Sequence, residues 1–125
     1  MMKFENPIQF NLQKELSNLK VSYSNLMEIS QGGPEIGDLS ISGKLVDGYR
    51  FGGPCVINGE FVYAPVYMKK VFGTGFKLSK IHVRTLEVIT LGKVKDLIYL
   101  DKVEDGKVYF FEDINKTISR NWEIN

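Results

Sequence analysis

The chain of 125 residues carries one cysteine, one histidine and only four prolines, and its formal net charge is only +1. Each shortage removes a class of chemistry. A lone Cys55 cannot form an intramolecular disulfide, which fits a reducing compartment. One Cys and one His cannot supply the ligand set of a zinc-type centre. An all-oxygen site is open by count, but no Ca-loop spacing occurs. A phosphate-binding surface gathers excess Lys and Arg on one face. Here the densest basic stretches, Lys69-Lys70 and Lys77, Lys80, Arg84, are balanced by Glu104, Asp105, Glu112 and Asp113, which reads as a solvated rim. No stretch approaches the ~20 apolar residues of a spanning helix. The opening MMKFENPIQF places Glu5, Asn6 and Pro7 where a signal peptide needs an apolar run. The expectations are therefore no nucleic-acid partner, no membrane, no cofactor and a cytoplasmic location.

What is present is an ordinary globular composition, 43% hydrophobic and 25% charged, with six Tyr and eight Phe. Its length suits one domain, so residues 1–125 are expected to form a single β-rich unit. Leu12, Leu16 and Leu19 recur at i, i+4, i+7 and predict a short amphipathic helix near residues 11–20. Ile8, Phe10 and Leu12 also alternate, as a strand would. Val21, Tyr23, Met27 and Ile29 then read as a strand with an irregularity at Ser24-Asn25. Gly-Gly-Pro occurs twice, at 32–34 and 52–54, and each triplet marks a sharp change of direction.

From Cys55 onward the pattern is hairpins. Asn58-Gly59 and Asp105-Gly106 are two-residue turn signals between alternating apolar runs, and Asn115-Lys116 is a third turn. Phe76, Leu78, Ile81 and Val83 alternate with a one-residue slip near Ser79-Lys80, the mark of a β-bulge. Short strands on short turns leave no room for parallel crossovers. The expected fold is mainly β: an antiparallel meander of hairpins forming a strongly bent sheet or small barrel, with one N-terminal helix. The segments Asn58–Tyr63 and Asp105–Phe110 resemble each other, as hairpins with a Gly turn do.

No constellation points to catalysis. His82 lies opposite Ile81 and Val83 on its strand and is expected to face outward. Cys55 opens a strand beside Val56 and Ile57 and reads as a small apolar group. The Gly-x-Gly of Phe72–Phe76 precedes a strand rather than a helix, so it is a turn and not a phosphate cradle. Glu112 and Asp113 are neighbours on a strand and point apart, so they are no glycosidase pair.

The aromatics carry the one functional hint. Phe61 and Tyr63 share a face opposed by Val62, and Tyr109 and Phe111 share a face opposed by Val108 and Phe110. Apolar groups on both faces exceed what one core requires, and Tyr suits interfaces. The reading is a non-enzymatic protein-binding module of inhibitor or immunity-like type. Its contact residues would be Tyr63, Tyr67, Tyr109 and Phe111, with Glu112 at the rim. The rival is a small-ligand or enzymatic barrel with a site at Asp47, Tyr49 and Arg50 between the Gly-Gly-Pro turns. A third reading pairs the chain with its own copy.

Overall fold

The computed structural model describes residues 5–69 and 73–124, so Lys70 and Phe72 lie outside the described residues. Among the described residues eleven strands form three antiparallel sheets, each built in chain order. The first holds β1 (Gln13–Leu16), β2 (Leu19–Glu28), β3 (Glu35–Ile41) and β4 (Lys44–Leu45). The second holds β5 (Val56–Asn58), β6 (Phe61–Lys69), β7 (Thr74–His82) and β8 (Val88–Lys95). The third orders β9 (Tyr99–Glu104), β10 (Lys107–Phe111) and β11 (Ser119–Glu123) as β11-β10-β9. The antiparallel hairpins are as expected, but they fall into three sheets, and among the described residues none closes into a barrel.

The predicted N-terminal helix is absent. Residues 13–28 form the β1–β2 hairpin, turned by Ser17 and Asn18 at φ 51° and 68°. That pair of positive φ values is what a tight hairpin turn demands, and Asn tolerates it well. The three leucines matched helical spacing, but Leu12 and Leu16 stay exposed, so no apolar stripe exists to bury. The irregularity at Ser24-Asn25 is real: Asn25 has φ 52° and the β2–β3 register shifts between Ser24 and Met27.

Two cores result, one on each face of the second sheet. Val62, Ala64 and Val66 of β6 and Ile81 of β7 face the first core, with Val21, Tyr23, Leu39, Ile41 and Phe51. Tyr63 of β6 and Phe76 and Leu78 of β7 face the second, with Leu100, Val108 and Phe110 of the third sheet. Phe51 forms isolated bridges to Gly37 of β3 and Val66 of β6, linking the first two sheets. The slip expected at Ser79-Lys80 is not there. β6 and β7 pair without interruption from Phe61↔His82 to Lys69↔Thr74. The apparent slip arises because β7 serves one core with Phe76 and Leu78 and the other with Ile81. The register shift lies instead between β7 and β8, at Phe76/Leu78.

The second Gly-Gly-Pro is buried, and its Gly53-Pro54 bond is cis. A Cβ on Gly53 would stand 2.5 Å from the Phe10 ring, so only glycine lets that ring lie on the backbone.

Candidate functional site

His82 and Cys55 are each accounted for by local structure. The His82 ring stands edge-on to Phe61 with centroids 5.3 Å apart, and its Nε2 lies 3.3 Å from Glu60 Oε1. Its Nδ1 accepts the Arg84 and Thr85 amides at 3.1 and 3.4 Å, so the imidazole caps the turn before β8. It is half-buried at the rim of the second core rather than fully outward. Cys55 is 1% exposed in the first core, and burial pushes its thiol above the ordinary value. A protonated, enclosed thiol is a poor nucleophile. Among the described residues no group of three His, Cys, Asp or Glu could hold a metal ion, and no helix is long and apolar enough to cross a membrane.

The residues around the second Gly-Gly-Pro partly converge. Tyr49 and Arg50 line an open hollow of about 410 Å³ with Asp38, Tyr67 and Lys69. Asp47 is not among its walls, and its Oδ1 accepts the Gly48 amide at 3.0 Å. Arg50 is already engaged: Nε lies 3.2 Å from Asp38 Oδ1 and Nη2 donates to the Asn25 carbonyl. Asn25 in turn donates to Asp38 Oδ2 at 2.7 Å. The guanidinium thus pins the β2 bulge.

The predicted contact residues divide sharply. Tyr63 is 2% exposed in the second core, and burial raises its phenol above the ordinary value, so it offers nothing to a partner. Tyr67 is half-buried against Phe76, with ring centroids 6.1 Å apart. Tyr109 and Phe111 occupy the outer face of the third sheet, because Val108 and Phe110 turn inward. Both are half-buried, with Lys102 Nζ 5.3 Å from the Tyr109 ring and Lys116 Nζ 5.8 Å from that of Phe111. Tyr99, opposite Phe111, completes the row and donates its hydroxyl to the Glu5 carbonyl. Glu112 accepts from Arg120 Nε at 2.7 Å and meets Lys95 Nζ at 3.0 Å. Those bonds, Lys95 first, hold its carboxyl below the ordinary value.

Two features were not anticipated. The first is the edge formed by β11, whose five residues are all exposed. Glu112 donates to the Ile118 carbonyl and Ile124 to that of Gly106, so alternation directs the bonds of Arg120 and Trp122 to β10. The amides and carbonyls of Ser119, Asn121 and Glu123 therefore point away from the sheet. No strand among the described residues pairs with that edge. The segment follows the predicted Asn115-Lys116 turn, but nothing in its residue pattern marks it as an outer strand.

The second is a cavity of about 250 Å³ where β8 and β11 flank the open end of the second core. Leu78, Leu91, Ile98 and Phe110 form its floor. Trp122, 41% exposed, walls one side, while Lys93, Lys95 and Arg120 stand at the mouth. Gly92 sits in the β8 irregularity at φ 75°, and a Cβ there would come within 3.3 Å of the indole. Five segments contribute, so no local motif announces the cavity.

Comparison with known proteins returns no matching family model, no matching curated protein and no matching solved structure.

Proposed function

We propose that this chain is a non-enzymatic binding module that holds an extended segment of another protein against β11. The observation that carries this reading is the unpaired edge. Ser119, Asn121 and Glu123 present outward main-chain donors and acceptors beside the half-buried row of Tyr109 and Phe111, of which the Ser119 carbonyl already accepts from Arg120 Nη1 at 3.5 Å. A strand added there would gain hydrogen bonds from the backbone and side-chain contact from the aromatic row. Exposed edges are normally shortened, charged or covered to prevent such pairing. Glu123 and Arg120 charge this one lightly, and nothing in the described residues covers it. An inhibitor or immunity-like protein would use a surface of this kind, and the resemblance is one of design only. The small-ligand reading at Asp47, Tyr49 and Arg50 has less behind it, because Asp47 lies outside the hollow that Tyr49 and Arg50 line.

The experiment is co-purification from the cells that naturally make the protein, comparing the native chain with Asn121→Pro and Tyr109→Ala. Proline at 121 removes only an outward donor, since Arg120 and Trp122 make the bonds to β10. Both variants should remain folded by circular dichroism and lose a partner that the native chain retains. Within the complex, the Ser119, Asn121 and Glu123 amides should gain protection from hydrogen exchange. A complex that survives both substitutions would contradict the reading. Light scattering separates the third reading: a dimer that Asn121→Pro dissolves would make the bound strand a second copy of this chain.

A further inference from the structure

The cavity between β8 and β11 has a chemistry of its own. Its floor is entirely apolar, yet three cationic side chains and no acidic one stand among its walls. Glu112, just outside, accepts from Arg120 and Lys95 together, and Lys93 adds a third cation to the lining, so three positive charges stand against that one carboxylate. The cations are positioned rather than incidental. Lys95 and Arg120 come from different sheets and are held to one oxygen of Glu112, which fixes them at the opening. Trp122 packs over Gly92 and its flat ring walls the chamber beside them. Small-ligand sites take this form, with an apolar chamber and a few polar groups that orient the occupant.

We infer that this cavity binds an amphipathic anion, an unbranched apolar chain ending in a carboxylate, with the chain among Leu78, Leu91, Ile98 and Phe110 and the head between Arg120 and Lys93. Volume sets the length. At roughly 30 Å³ for each water-sized group, the chamber holds about eight such groups. A saturated acid of about eight to ten carbons therefore fits, with its carboxylate left at the mouth. A neutral head loses the charge-assisted bonds to Arg120 and Lys93. A cationic head meets repulsion.

The inference does not rest on the protein-binding reading, because the chamber takes the Arg120 and Trp122 side chains, which share the inner face with Phe110 and Val108, while the docking edge uses the outward main chain of Ser119, Asn121 and Glu123. Trp122 is the sole tryptophan, so its fluorescence reports the cavity mouth directly. The test titrates the full chain with sodium decanoate, decanol and decyltrimethylammonium, following that emission. Decanoate should produce a saturable change with a dissociation constant below about 1 mM. It should bind about tenfold more tightly than decanol, an advantage typical of a charge-assisted contact, and the ammonium should give no saturable change. Affinity should rise from hexanoate to decanoate and level off at tetradecanoate. Arg120→Gln lies on an exposed side chain and should weaken decanoate several-fold while leaving decanol unaltered. Tyr109→Ala should leave decanoate binding as it is. The inference is overturned by the lack of any saturable change, by decanol matching decanoate, or by both Arg120→Gln and Lys93→Gln leaving decanoate affinity intact.

Discussion

β6 and β10 leave similar turns, Asn58-Gly59 and Asp105-Gly106, and both carry large apolar side chains on both faces, yet they occupy different worlds. β6 is the middle of three layers: Val62, Ala64 and Val66 fill one core, while Tyr63 helps to fill the other. β10 belongs to an outer layer: Val108 and Phe110 are buried, while Tyr109 and Phe111 are only half so. The same pattern in the chain thus means two cores in one strand and one core plus an open face in the other. What separates them is how many layers lie beyond, a property no short segment carries.

The largest expected effect breaks the comparison on the β6 side. Tyr63→Ala removes an enclosed ring from the second core and should cost about 3–5 kcal/mol in urea unfolding. Behind it, Ser79 is fully buried and donates to the Ala64 carbonyl at 2.7 Å. Ser79→Ala should lose about 1 kcal/mol, the net worth of one such bond. On the β10 side, Tyr109→Ala should cost about 1 kcal/mol or less, since the ring loses half-solvated contacts and the Lys102 cation.

The smallest effect is a pH dependence at the edge of the third sheet. Lys95 and Arg120 lower the Glu112 pKa in the folded state. Its contribution is therefore fully present above the unfolded carboxylate value and is lost as pH falls through the lower folded value. Glu112→Gln should lie below the native chain in stability at neutral pH, and the two should converge as pH falls through the lowered folded value. A gap that persists unchanged to pH 2 would show that the ion pairs contribute nothing there.

The turns were legible because their chemistry is local. Gly59, Asp105 and Gly106 all have positive φ, and Asn-Gly and Asp-Gly announce that conformation. The N-terminal hairpin was not, since three leucines satisfy helical spacing whichever structure forms, and only the exposure of Leu12 and Leu16 decides between them. The supposed slip at Ser79-Lys80 failed for the same reason that β6 and β10 look alike. A strand that packs on both faces has no single apolar period, and an ungapped strand then mimics a bulged one. Of the contact residues, Tyr109 and Phe111 could be placed on one face but not on an outer one. The β8–β11 cavity draws on side chains from Leu78 to Trp122, which only tertiary structure brings together.

The most direct test of that division is urea unfolding of Tyr63→Ala and Tyr109→Ala side by side, with the native chain as reference. The account predicts a midpoint close to native for Tyr109→Ala and a loss at least about 2 kcal/mol greater for Tyr63→Ala, at unchanged m. Equal losses in the two variants would place Tyr109 in a core and contradict the open face on which the proposed docking depends.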